Sequence, residues 1–413
     1  MAVDVLLTDV MSYRSGFPHE LFTQLRAEGA VHYHPPAQLR EDEPATDFWS
    51  VVRHAEVQQA NRDWQTFSSN DGVSIYKMPG HSGVTIVAMD PPQHTRIRRL
   101  ISAGFTPGMI KRLHDVISVR TRLILDEVAM RSDCDFVRIL RTSCRCTSLP
   151  ISSVSRRRTV VGCSSARSRS SVALDPNTAL TMKDHDQNQL ELFAYARELT
   201  ERKRLKPGDD VWTVIAHAEI PAEDGTIQTL EGMELELCFG VLAVAGSETT
   251  RNAMSLGLLA LLENEEQMVE LRRQPQLMGG ATDEIIRWAS PVLFFARTAT
   301  SDTELGGAQI RGGDRVVLWY PSANRDEREF EDPFRFDIHR TPNRHVSFGG
   351  GGPHYCLGAS LARREIEIMM GELLRRFHIA LADDVTWLGA GPVHNVGVSI
   401  DRMPIELSVR KAC

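Results

Sequence analysis

At 413 residues, 42% hydrophobic and 24% charged with a net charge of −7, the chain has the make-up of an ordinary globular protein with a sizeable core. The acidic balance argues against nucleic acid as a main partner, and no apolar run approaches the roughly 20 residues that cross a bilayer. The start "MAVDVLLTDVMSYRSGF" lacks a basic region, and the seven cysteines are odd in number with no disulfide spacing, so a reducing cytoplasm is the expected location.

Short strand-like pieces ("DFWSVV" near the start, "FFARTAT", "RVVLWY" and "VGVSI" late) bracket a mostly helical pattern. "DPPQHTRIRRLISAGF" opens a helix, with Asp90 as its cap and prolines in the first turn. On it His94 and Arg98 stand at i and i+4 and can face one anion; Arg96 and Arg99 leave a solvated basic face as the other reading.

From Phe136 to Leu174 the composition changes: eight arginines, ten serines and three cysteines, with no acid and no lysine. Three readings compete: a basic disordered insert, a cysteine metal site whose spacing matches zinc poorly, or a stretch outside the native reading frame. The third can be tried on paper. From Thr142 onward, each residue's free wobble base joined to the next codon's first two bases can spell ELPLHVIADLLGVPAEDRRRLFE, an amphipathic string with helix caps. We expect a double frameshift over 139–171.

The longest helical pattern runs from about Thr229 to Asn264. Its middle, "AGSETT", places Gly246, Ser247, Thr249 and Thr250 in an apolar stretch that they suit poorly. Tight packing explains this equally well as a local opening of the helix for a small ligand, with the Thr249 hydroxyl beside it and Glu248 as a route for protons. "DEIIRW" sets Glu284 and Arg287 at i and i+3, a pair of consequence only if buried with a third partner, for which Arg335 in "EDPFRFDIHR" is the candidate. Arg297 in "FFARTAT" is a lone cation in an apolar strand with no local acid. Last comes "HVSFGGGGPHYCLGASLARREIEI", where four glycines lead to Cys356 just ahead of a helix; amides and dipole at such a terminus favour a thiolate.

In this order and spacing the motifs resemble the cytochrome P450 family of haem-thiolate monooxygenases over nearly the whole chain. The Gly-x-His-x-Cys-x-Gly core falls on Gly352, His354, Cys356 and Gly358; Glu248-Thr249 matches the acid-threonine pair 107 residues before the cysteine, and Glu284/Arg287 the Glu-x-x-Arg pair 72 before it. The resemblance implies a mainly α fold with small β-sheets, a triangular helical prism forming one domain over 1–413. It implies haem b as cofactor, held through its iron by Cys356, with His94, Arg98, Arg297 and His354 on its propionates and Phe348, Gly246 and Gly358 against it. The thiolate would favour O–O cleavage, with protons passing through Glu248 and Thr249, and one oxygen atom from O2 would enter a C–H bond.

Phe348 lies eight residues before the cysteine, one further than is usual, and the extra Gly349 is similar to an actinobacterial group that hydroxylates sterol side chains and methyl-branched lipids. An apolar substrate is expected, in a pocket lined from the 71–88 loop, Leu242 to Ser247, Pro291 to Phe295 and Asn395 to Val398. No reductase domain or membrane anchor is legible, so a separate ferredoxin and its NAD(P)H-linked reductase are the expected electron source. Lys111, Arg112, Arg363 and Arg364 either form a docking face or are ordinary solvated charges. A haem-binding protein without turnover and an inactive product of a disrupted gene stay open as alternatives.

Overall fold

The segment Met233–Glu263 is one continuous helix of 31 residues, about 46 Å long at the standard rise. It begins with Glu234 and Glu236 in its first turn, where acids complement the helix dipole. The expected local opening at "AGSETT" does not occur. Ser247 Oγ donates to the Ala243 carbonyl at 3.1 Å and Thr249 Oγ to the Ala245 carbonyl at 2.7 Å, so both hydroxyls are satisfied by the preceding turn with the helix intact. Buried residues recur around the whole circumference of its second half, because other helices pack on it. Closest is Met278–Ala289, where Gly257 meets Ile285 so tightly that a Cβ on the glycine would lie 2.5 Å from the isoleucine side chain.

The computed structural model describes residues 7, 10–37, 45–76, 83–130, 133–140, 182–222, 224–388 and 397–410. Around the long helix stand Gln93–Ser102, Pro107–Ala129, Met182–Leu205 and Ala359–Arg376. The helix expected after Asp90 starts at Gln93, without the expected carboxylate cap: the Asp90 side chain instead accepts from the Ser68 hydroxyl and from the Ser69 amide at 3.0 Å. Pro107–Ala129 does carry a side-chain cap, Thr106 Oγ accepting from the Met109 amide, and buries Met109, Leu113, Ile117, Thr121 and Leu125 at intervals of four.

A five-stranded sheet flanks the helices in the order Val31–Ala37, Thr46–Val51, Arg315–Trp319, Phe294–Ala299, Phe67–Ser68. Its centre is Arg315–Trp319, buried at all five positions, parallel to Thr46–Val51 and antiparallel to Phe294–Ala299. That double burial is why "RVVLWY" reads as a continuous apolar run. Opposite Val316 sits Arg297, so sheet register carries this cation inward, at 2% exposure.

Of the anomalous 139–171 stretch only Ile139 and Leu140 are described, both buried in the core around the C-terminal half of the long helix. The remainder lies outside the described residues.

Candidate active site

Between the long helix and the glycine loop lies a cavity with about 1450 Å³ of atom-free space, counting the part open to solvent. Leu242, Ala245, Gly246 and Thr249 form one wall; Phe348, His354, Cys356 and Gly358 form the other.

The loop's shape is a matter of backbone conformation. Gly349, Gly350, Gly351 and Gly352 have φ of 96°, 65°, 122° and 76°, a run that side-chain-bearing residues resist. The close approach serves protein packing: at Gly352 the loop rests on the helix His54–Arg62, where a Cβ would stand 2.2 Å from the Asn61 carbonyl oxygen. The loop then returns, with the Cys356 amide donating to the Phe348 carbonyl at 2.9 Å. Gly358 is the N-cap of Ala359–Arg376, which puts Cys356 just ahead of a helix start.

By surface area Cys356 is exposed, but the surface it presents is the cavity wall, enclosed by protein. That enclosure pushes its thiol pKa up; the Gly358 backbone hydrogen bond and the nearby Arg98 and Arg363 pull the other way without prevailing.

At one end of the cavity the His94 and His354 rings approach to 4.3 Å between centroids. His94 Nδ1 and His354 Nε2 are buried and have no partner among the described residues. Burial holds His94 down at about 4 and His354 at about 2, so both rings are neutral at pH 7. Arg98 donates to the Tyr355 carbonyl at 2.6 Å, and Arg297 donates to the Ala296 carbonyl at 2.9 Å and to Asn61 Oδ1 at 3.1 Å. Neither guanidinium forms an ion pair with a described carboxylate, and burial lowers the pKa of each. Two desolvated cations and two unsatisfied ring nitrogens are an incomplete electrostatic set, one that carboxylates of a bound molecule would complete. Arg297 itself sits behind the cavity wall, within electrostatic reach of His354.

Glu248 points away from the cavity lining and faces Arg251 at 3.6 Å. Glu284 and Arg287 are both fully buried and joined by two 2.7 Å hydrogen bonds. Their third partner is not the Arg335 side chain, which is exposed; Arg335 gives only its backbone carbonyl to Arg287, at 3.2 Å. Arg340 takes the place, its Nε 3.2 Å from Glu284, because the turn after Phe336 returns it toward the carboxylate.

Ile86, Val87, Leu242, Pro291, Val292 and Phe295 line the cavity from three of the four expected segments. In the fourth, Asn395 lies outside the described residues and Val398 is buried in the core against the N-terminal segment. Ile101 and Phe105 line the cavity unanticipated, as does Glu365 on Ala359–Arg376. Glu365 is 2% exposed, its Oε1 has no partner among the described residues, and burial raises its carboxyl well above the usual range. The signal was present: "LARREIEI" places this acid on the same helix face as Leu361 and Ile368.

Comparison with known proteins agrees with this geometry. The family model for Cytochrome P450 matches residues 173–388. The chain is 37% identical over 340 residues to a steroid C26-monooxygenase of Mycolicibacterium smegmatis, covering 79% of this chain and 76% of that protein. It is 35% identical over 381 residues to a methyl-branched lipid omega-hydroxylase of Mycobacterium tuberculosis, covering 88% and 85%. Its fold superposes on the Mycobacterium marinum cytochrome P450 CYP268A2, solved with pseudoionone, with a TM-score of 0.85 at 33% identity over 98% of both chains.

Proposed function

This chain belongs to the cytochrome P450 family and is a haem b-dependent monooxygenase, and on that ground we propose that Cys356 holds the iron and that the substrate is a branched or polycyclic apolar molecule. The reading is carried by one observation: a single cavity holds the Cys356 sulfur, an unpaired cationic end and the Thr249 hydroxyl. The fit to the cofactor is good on this chain's own terms. The cavity wall carries the Cys356 sulfur, and the Arg98, Arg297, His94 and His354 set lacks the carboxylates that two propionates bring.

When bound, haem supplies the activation of dioxygen and the insertion of one of its atoms into a C–H bond. The chain's own residues do the rest. His94, Arg98, Arg297 and His354 orient the cofactor by its carboxylates. Gly246, Phe348 and Gly358 line the cavity and would lie against it. Thr249 keeps a proton at Oγ, anchored by its bond to the Ala245 carbonyl, and Glu248 with Arg251 forms the outer charged step from which that proton is replaced. Ile86, Val87, Leu242, Val292 and Phe295 exclude water and bind hydrocarbon. Names of relatives point to steroids and methyl-branched lipids as the compounds to try first.

Electrons enter, in this reading, from a separate acidic ferredoxin in the cytoplasm. Lys111 and Arg364 border one surface groove, with exposed Arg112 beside it. Arg363 is held by Asp283 at 2.6 Å and Arg364 by Glu367 at 2.9 Å, so Lys111 and Arg112 are the members of the expected docking set with no described carboxylate partner. Among the described residues no helix is long and apolar enough to cross a membrane.

The deciding experiment is the reduced carbon monoxide difference spectrum, followed by titration with a sterol and a methyl-branched fatty acid while watching the ferric Soret band. A thiolate-type band with a substrate-induced blue shift supports the reading. A thiolate band with no response to either compound class leaves the haem assignment standing and overturns the substrate class.

A further inference from the structure

Behind the glycine loop, on the side away from the substrate cavity, one carboxylate gathers three elements. Asp283, on Met278–Ala289, accepts from Arg363 Nε at 2.6 Å and lies 3.5 Å from His345 Nε2. Both partners then bear on one ring: the Arg363 guanidinium lies 4.6 Å from the Phe348 centroid, and the His345 ring 5.6 Å from it. The Phe348 carbonyl is the acceptor of the Cys356 amide. Burial would push the Asp283 carboxyl up, yet hydrogen bonds from His345 and Arg363 hold it below its usual value, so it is anionic at neutral pH.

Each contact has a physical reason to depend on Asp283. Arg363 is 36% exposed and has the Tyr355 side chain as a second acceptor; without the Asp283 carboxylate its long side chain gains rotamer freedom in water and loosens from the ring. The His345 side chain is 2% exposed and its Nδ1 has no described partner, so Asp283 is the one described acceptor its ring faces. The Arg363–Asp283 ion pair stands against the ring of the residue that binds the Cys356 amide, so its two charges act on the sulfur with opposite signs.

Resting on the reading that Cys356 ligates haem iron, we infer that Asp283 is a positioning residue for the sulfur: through Arg363 and His345 it clamps the Phe348 ring whose carbonyl holds the Cys356 amide, and with Arg363 it sets the charge behind the thiolate. The two roles separate experimentally. A clamp alone makes loss of either partner equivalent. A charge pair makes them opposite, because removing an anion eases electron addition to the iron and removing a cation hinders it.

The test uses the haem-loaded full chain and the variants Asp283→Asn, Arg363→Gln and Arg363→Lys, measuring reduction potential and reduced carbon monoxide spectrum on each. Asp283→Asn is expected to raise the potential and Arg363→Gln to lower it, while both enlarge the short-wavelength fraction of the spectrum severalfold. Arg363→Lys keeps the charge and is expected to hold the parent potential with a loosened clamp. Should Asp283→Asn not retain haem, Arg363→Gln against Arg363→Lys decides alone: equal potentials in that pair overturn the inference. Potentials that move the same way in Asp283→Asn and Arg363→Gln overturn it too. A parent without a thiolate-type band removes the ligand assignment itself, and this inference with it.

Discussion

Gly352 packs on Asn61 at a distance that leaves no room for a side chain: an added Cβ would stand 2.2 Å from the Asn61 carbonyl oxygen, and φ is 76°. The same Asn61 accepts from Arg297 through its side chain, so the cysteine loop and the buried cation share one support. Backbone atoms cannot yield as side-chain ends do. Gly352→Ala is therefore expected to displace the loop and cut haem retention at least tenfold, while Gly371→Ala, which meets nothing within 4 Å and lies outside the cavity lining, leaves it largely intact. Haem-to-protein ratio after gel filtration measures both.

The buried ion pair gives a sharper contrast. Arg287→Ala leaves the Glu284 carboxylate buried at 0% exposure and is expected to cost about 3–5 kcal/mol, enough to remove most folded protein. Arg340→Ala strips one of its outer donors and is expected to cost about 1–3 kcal/mol. Arg335→Ala keeps the backbone carbonyl that Arg287 uses, so a change within about 0.5 kcal/mol is expected. Thermal midpoints rank the three; Arg335→Ala as damaging as Arg340→Ala would contradict the assignment.

These outcomes also mark what a sequence reader can see. The Glu284–Arg287 pair is local, at i and i+3, and the glycine run with its cysteine is contiguous, so both were legible, as was the mainly α architecture with small sheets. Partners brought from far along the chain were not. Asn61 lies 236 residues before Arg297, Arg340 displaces Arg335 through the path of a turn, and Arg363 looked like surface charge until Asp283 came beside it. Val398 shows the same limit: a late strand's neighbours depend on how the N-terminal segment folds back.

Thr249 stands in the helix wall with its hydroxyl anchored to the Ala245 carbonyl. In Thr249→Ala the cavity keeps its shape and loses the proton held there. Product formed per NAD(P)H consumed is expected to fall roughly ten- to a hundredfold with NAD(P)H consumption still running, and Thr249→Ser to recover most of it. Full coupling in the alanine variant would remove Thr249 from the proton path.

Acid sensitivity has a candidate origin outside the cavity. Burial, together with Arg325, Arg26 and Arg287, holds His19 down at about 3 against an ordinary 6.5. Its folded pKa is depressed, so its contribution is complete above pH 6.5 and drains as pH falls toward 3, with an upper bound on the order of 5 kcal/mol. His19→Gln is expected to flatten the fall of the thermal midpoint between pH 6.5 and 5. An unchanged slope would mean that other groups govern it.

The arginine- and serine-rich stretch invites a direct substitution. We propose that 139–171 is read outside the native frame, and that replacing it with the re-read segment raises haem loading and thermal midpoint together. Ile139 and Leu140 already enter the core, and the written residues that follow lack the apolar repeat of a core helix. Equal haem loading of both chains would show that the fold tolerates the written segment and would overturn the expected gain.

Strand Thr46–Val51 reaches its parallel neighbour Arg315–Trp319 only across most of the chain, and Trp319 Nε1 donates to Ser50 Oγ over a separation of 269 residues. At typical synthesis rates that interval lasts roughly 15–50 s. For that time the emerging polypeptide carries an open β-edge whose mate is not yet translated, and the cysteine loop is made later still. Until that mate is made, the edge is open to pairing with another chain, so early synthesis is the window in which this fold is most exposed to aggregation.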